Sequence, residues 1–348
     1  VLAPALAVLA GVLLAAGCVA QTSAPDTPDG GNSPGGNDAG GSAPSIRVPE
    51  RFAFYYGQPS GVNGAAGDTA LATRAFADYD IVVLGDGLEE AGHIDHQRTQ
   101  TIIGNLRTSG TRVFGYVDLC VLGGPTCTNL PLSEVQAKAD RWRAMGVAGI
   151  FLDQAGYDYS VSRARLNDAV DYLHTTGLAA FVNPWVPDDV FSPAVHPTLN
   201  PAGTATHLGA SDYILHESFA IELAQFQDPA ALVAKADKEL GWKRKLGTKI
   251  AVVNTLAQGA GFDPSKFEYV WWMTLIYGFD AMAWGETWAY SAENNALPFH
   301  PRPTAPNLGG PVDPLVVDHS SNIYARQTTQ GRIEVDTATH VGRYVPRP

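Results

Sequence analysis

The feature that most constrains this chain is a near-even recurrence of short apolar runs, each closed by a polar or aromatic residue. The runs cover 52–56, 81–84, 113–118, 149–153, 179–183, 212–217, 250–254 and 281–284. Their centres lie roughly 29 to 37 residues apart, the length of one strand, one helix and two loops. They are continuously apolar, as strands covered on both faces are. Segments at 99–106, 132–145, 162–176, 228–240 and 264–277 place apolar residues on one helical face. Ser133 is the expected N-cap of the second of these, and Pro264 sits in the first turn of the last. Eight such units over about 250 residues predict a (β/α)8 barrel. The competing doubly wound sheet carries a glycine-rich phosphate loop after its first strand. The segment here, Gly57-Gln-Pro-Ser-Gly61, has the wrong spacing and contains a proline. Beyond the eighth run, 324–344 reads as a β-hairpin turning at Thr329-Gln-Gly331.

The ends of the chain differ in texture. Residues 1–20 begin with an Ala/Val/Leu run too short to span a bilayer and read as a secretory signal. Ala15-Ala-Gly-Cys18 resembles a bacterial lipobox, which makes Cys18 a candidate for lipidation and a lipid anchor the expected membrane contact. Residues 21–48 are rich in Gly, Pro and Ser and read as a tether. The barrel is expected over 49–300 and the extension over 301–348. The chain carries 35 acidic and 23 basic residues, a formal charge of -12, which argues against nucleic acid as a partner. A monomer is expected.

In a (β/α)8 barrel, chemistry sits where strands end. The polar residues there are Tyr56, Asp86, Asp118, Asp153, Asn183, Glu217, Asn254 and Glu286. Asp153 and Glu217 close the strongly apolar fourth and sixth runs, and a carboxylate in that position is costly unless paired or functional. Two carboxylates across a barrel mouth can cleave a glycosidic bond, one attacking or activating water and the other protonating the leaving oxygen. Tyr56, Tyr116, Trp185, Trp284 and Trp288 lie at or just beyond strand ends, where aromatic faces suit sugar C–H faces. Trp271 and Trp272, mid-helix, read as packing. His93-Ile-Asp95-His96 has no second cluster and reads as a helix cap, so no metal is expected. No organic cofactor is implied. His216 should face away from Glu217. Cys120 and Cys127 follow the third strand closely, and in an exported protein a loop-closing disulfide is expected.

Taken in order, Phe54-Tyr-Tyr-Gly57, Tyr79-Asp-Ile-Val-Val-Leu84, Gly115-Tyr-Val-Asp118, Gly149-Ile-Phe-Leu-Asp-Gln154, Phe181-Val-Asn-Pro184 and Tyr213-Ile-Leu-His-Glu217 form a pattern. It resembles the spherulin-4-like glycosidases and glycoside hydrolase families 114, 135 and 166. The resemblance runs from Phe52 to about Trp288. It implies a barrel enzyme cutting α-1,4-linked galactosamine or N-acetylgalactosamine polymers. It also implies a retaining mechanism, with Asp153 as nucleophile and Glu217 as general acid/base. Tyr56, Asp86, Tyr116, Asp118, Asn183, Trp185, Asn254, Trp284 and Glu286 would then contact the sugar. Gln154 stands where an acid often follows the aspartate, and Trp185 where glycine is usual. Two other readings of the same residues are a non-catalytic carbohydrate-binding barrel and a metal-dependent deacetylase, the latter disfavoured by the missing His cluster.

Overall fold

The computed structural model describes residues 46–122, 127–286, 294–304, 307–310, 312 and 317–348. The signal-like segment with Cys18, the tether as far as residue 45, and Trp288 lie outside the described residues, while Ile46, expected in the tether, donates its N–H to the Gly309 carbonyl at 2.9 Å.

Eight parallel strands close into a barrel: β1 (Glu50–Tyr55), β2 (Ile81–Leu84), β3 (Arg112–Asp118), β4 (Gly149–Asp153), β5 (Ala179–Val182), β6 (Tyr213–His216), β7 (Lys249–Thr255) and β8 (Ala281–Gly285). Each pairs with its neighbours in chain order, and β8 returns to β1. Helices α1 (Thr69–Ala77), α2 (His96–Ser109), α3 (Leu132–Met145), α4 (Arg163–Thr175), α5 (Pro187–Phe191), α6 (Pro229–Leu246) and α7 (Pro264–Tyr277) lie on the connections. Among the described residues, no helix follows β8. The predicted (β/α)8 barrel is therefore the observed fold.

Helix boundaries follow local chemistry. The carboxylates of Asp68, Asp228 and Asp263 accept first-turn N–H groups of α1, α6 and α7, and the Ser162 hydroxyl does the same for α4. Ser133 is not a cap. Pro131 precedes the helix and Ser133 lies in its first turn. Gly115, on the outer face of β3, is required by packing: a Cβ there would fall 2.2 Å from the Trp142 ring of α3. Trp142 Nε1 donates to the Tyr116 carbonyl at 3.1 Å, so α3 lies close over the strand.

Alternation sorts the strand residues into two cores. Phe52, Phe54, Ile81, Val83, Phe114, Phe151, Phe181, Tyr213, Leu215, Ala251, Val253, Ala281 and Ala283 fill the barrel interior. The Phe54–Phe151 and Phe151–Phe181 rings meet edge-on at 5.1 and 5.2 Å. The residues between them face the helices. At the N-terminal end Arg112 binds Glu50 at 2.6 Å and the Tyr213 hydroxyl at 2.5 Å, closing the barrel floor. The C-terminal extension is a three-stranded antiparallel sheet rather than one hairpin. Its strands are β9 (Ile323–Gln327), β10 (Gly331–Asp336) and β11 (Val341–Pro346). The expected turn joins β9 to β10, and β11 adds a third strand that reads as polar because half of it is open to solvent.

Candidate active site

The mouth at the C-terminal ends of the strands holds the two carboxylates. Asp153 ends β4 with the same facing as Phe151, and Glu217 follows β6 with the same facing as Leu215. Asn183, directly after β5, stands between them. Its Nδ2 donates to Asp153 Oδ1 at 2.8 Å and to Glu217 Oε2 at 3.0 Å. Two oxygens that share one donor at these lengths lie within about 6 Å of each other.

The two carboxylates are held differently. Asp153 accepts three hydrogen bonds, from the Tyr116 hydroxyl at 2.5 Å, Asn183 at 2.8 Å and its neighbour's amide, Gln154 N–H, at 2.9 Å. Burial pushes its carboxyl above the usual carboxylate range, and these three donors oppose the shift. Glu217 is also pushed up, first by burial and then by the charge of Asp153, with Asn183 and Lys235 opposing. The donor set therefore favours an ionised Asp153 beside a protonated Glu217. Gln154 and Ser218, the residues that follow the two acids, both adopt left-handed backbone, at φ 55° and 54°. For residues other than glycine this is strained backbone, which concentrates at functional sites.

Other expected residues join this group. Tyr56 and Tyr116 face inward and meet edge-on at 5.7 Å. Asp118 ends β3 beside Asp153 and accepts from Cys120 N–H at 2.8 Å. Burial, with Asp153 and Asp86, pushes Asp118 up to about 7 against the Cys120 amide and Lys138. Trp185 is an exposed rim residue, and the Lys235 ammonium lies 5.2 Å from its ring centre.

Four expected contacts face elsewhere, because their positions alternate to the outer side of the barrel. Asp86 is exposed and binds Lys138 of α3 at 2.8 Å. Asn254 is fully buried, and its Oδ1 accepts the amides of Ala220 and Ile221 at 2.8 and 2.9 Å. It therefore anchors the loop after β6 and cannot reach a sugar. Trp284 packs against Phe267 of α7 at 5.4 Å, in the outer core. Glu286 binds His300 at 2.6 Å, and His300 in turn stacks on Phe262.

No family model matches the chain, and no curated protein matches it. Among solved structures, a variant of the glycoside hydrolase domain of PelA from Pseudomonas aeruginosa aligns at 15% identity, with a TM-score of 0.44, over 72% of this chain and 100% of that one. An endoglucanase from Pseudomonas stutzeri in complex with cellobiose aligns at 11% identity, TM-score 0.45, over 72% and 87%. Dispersin B aligns at 10% identity, TM-score 0.43, over 70% and 93%.

The structure adds residues that the sequence did not single out. Tyr159, six residues past Asp153, is half-buried beside the mouth. Its hydroxyl is pushed up to about 12, by burial first and then by Asp158, Asp153, Glu217 and Asp118. Lys235 of α6 is pushed down by burial despite Glu239, Glu217, Asp158 and Glu222 around it. The position of Tyr159 just after a strand end was a usable signal; a lysine inside a helix gave none. His216 faces α6, away from the mouth, and contacts Glu239 Oε2 at 2.7 Å. Asp95 stands at the N-cap position of α2 but is buried and does not cap the helix; its carboxylate instead accepts the Ser60 amide and hydroxyl at 2.9 and 2.5 Å. Cys120 is disulfide-bonded, and a short antiparallel hairpin pairs 120–122 with 127–129. The Cys127 side chain lies outside the described residues. A cavity of about 330 Å³ lies at the other end of the barrel. Arg107, Arg112, Arg143 and the glycines ending α2 and α3 line it, without any carboxylate. Cations there complement helix C-termini.

Proposed function

We propose that the protein is a retaining glycoside hydrolase acting on an aminosugar polysaccharide of the α-1,4-galactosamine or N-acetylgalactosamine type. The observation that carries this reading is the single Asn183 amide shared by Asp153 and Glu217. The two accepting oxygens are held no more than about 6 Å apart, nearer the roughly 5 to 5.5 Å spacing of retaining pairs than the roughly 6.5 to 9.5 Å that leaves room for an inverting water. The ordered sequence motifs support the sugar class.

Asp153, kept ionised by three donors, attacks the anomeric carbon. The bond from that carbon to the leaving oxygen breaks, and Glu217 gives that oxygen its proton. The product of this step is a glycosyl ester on Asp153. Glu217, now a carboxylate, takes a proton from water, whose oxygen attacks the anomeric carbon and releases Asp153. Tyr56, Tyr116 and Trp185 offer aromatic surface to the ring, and Asp118 offers an acceptor for a hydroxyl or an amine.

The test is incubation of purified protein with α-1,4-linked N-acetylgalactosamine and galactosamine oligosaccharides, following the anomer formed first by NMR. Retention at the cleaved bond, with activity lowered by orders of magnitude in Asp153→Asn and Glu217→Gln, supports the reading. Binding without cleavage would favour a carbohydrate-binding barrel. A first product of inverted configuration would remove the nucleophile role from Asp153.

A further inference from the structure

Four residues after Glu217 the chain enters a small antiparallel hairpin, Ile221–Glu222 paired with Gln225–Phe226. Its two-residue connection is Leu223-Ala224, and both residues are left-handed, at φ 46° and 66°. A connection with two positive φ angles is normally Asn-Gly, since other residues meet their own backbone there. The hairpin is nevertheless held firmly. Asn254 takes the amides of Ala220 and Ile221, and Ala224 N–H donates to the Thr255 carbonyl, at the mouth end of β7, at 3.0 Å. Phe226 stacks on His340 with ring centres 3.4 Å apart. What this strained, anchored turn presents is Leu223, 48% exposed. Across Glu217, on the β5 side, Trp185 is 54% exposed two residues beyond Asn183.

We propose that Leu223 and Trp185 form the two apolar walls of the site for the first sugar on the leaving side of the scissile bond. This rests on the proposed function, which makes Glu217 the group that protonates the leaving oxygen. In barrel order the loops that carry the two residues, after β5 and β6, bracket Glu217, and Leu223 N–H reaches the Thr255 hydroxyl at the end of β7 at 3.4 Å. The ring of a pyranose presents apolar C–H faces that both side chains can cover. Tyr56, just after β1, and Tyr116 on β3 then serve the sugar attached to Asp153, and the polymer leaves the mouth between the loops after β5 and β6. Exposed leucine at a position where Asn would relax the backbone is what a binding wall requires and a connection alone does not.

Two variants test it. Ala224→Gly relaxes the turn and keeps Leu223. Leu223→Asn combined with Ala224→Gly makes the preferred turn sequence and removes the apolar tip. Each is assayed on an α-1,4-linked N-acetylgalactosamine oligosaccharide and on the glycosyl fluoride of the same sugar, whose leaving group is not a sugar. The readout is the ratio of kcat/KM on the oligosaccharide to that on the fluoride. The double variant should lower this ratio about fivefold to tenfold relative to Ala224→Gly, the effect of losing one buried aliphatic contact, at an equal or higher Tm. An equal ratio in the two variants overturns the inference and leaves the proposed function standing. A wild-type protein inactive on both substrates removes the proposed function and this inference with it.

Discussion

The Tyr116 hydroxyl donates to Asp153 Oδ2 across 2.5 Å, shorter than the other hydrogen bonds described to the two mouth carboxylates. Donors aimed at a carboxylate favour its charged form, so this contact bears on the protonation state of Asp153 as well as its position. Tyr116→Phe keeps the ring against Tyr56 and Phe151 and removes only the donor. Turnover should fall about tenfold to a hundredfold, the value of a hydrogen bond to a charged group. The acidic limb of the pH–rate profile should move to higher pH while the basic limb stays. An unshifted acidic limb would mean that Tyr116 acts on the sugar alone.

Asn183→Ala should behave differently, because Asn183 serves both acids. Losing its donor raises Asp153, which must be ionised, and Glu217, which must be protonated. Both limbs should therefore move to higher pH together, with turnover lowered about a hundredfold. A pH–rate profile that narrows rather than translates would show that only one carboxylate depends on the amide.

Asp118 carries a stability signature of its own. Its folded carboxyl is raised by burial to about 7, above its unfolded value, so between those limits the folded state binds the extra proton. Stability from this group is therefore present below the unfolded value and declines as pH rises toward 7. Asp118→Asn should flatten the fall in Tm between pH 4 and 7, both limits being approximate, and should be the more stable protein at higher pH. Parallel Tm curves for the two proteins would remove the shift. If Asp118 receives an amine, the wild type should also bind amine-bearing sugars more strongly as pH rises through the same window.

Trp284 and Trp185 should separate cleanly. Trp284→Ala leaves a gap against Phe267 in the outer core and should cost about 2 to 3 kcal/mol in denaturant unfolding, with little effect on KM. Trp185→Ala should leave stability within about 0.5 kcal/mol, because the ring is a rim residue, and should raise KM for oligosaccharides. The opposite pattern would place the sugar on the β8 side.

The barrel was legible in the sequence because parallel strands covered on both faces leave unbroken apolar runs at a fixed interval. The site was legible only where strand facing was followed. Tyr56, Tyr116, Asp118, Asp153, Asn183 and Glu217 each lie an even number of residues from an interior residue such as Phe54, Phe114, Phe151, Phe181 or Leu215. Asp86, Asn254, Trp284 and Glu286 lie an odd number from Val83, Val253 and Ala283, and they face the helices. Alternation followed along every strand sorts all ten. The hairpin after β6 was not legible, since Leu-Ala carries no turn signal. Lys235 reaches the mouth by the docking of α6, which no local pattern encodes.

The left-handed residues behind the two acids also set a limit on improving this protein for use. A search for heat-resistant variants would find Gln154→Gly and Ser218→Gly readily, because glycine occupies that backbone without penalty. Yet the bend at Gln154 is what aims its N–H back at Asp153. A looser chain there would point that amide correctly for less of the time. Durability gained at Gln154 would be subtracted from catalytic rate, whereas the opposite end of the barrel, with its arginines and helix ends, can be stiffened without that exchange.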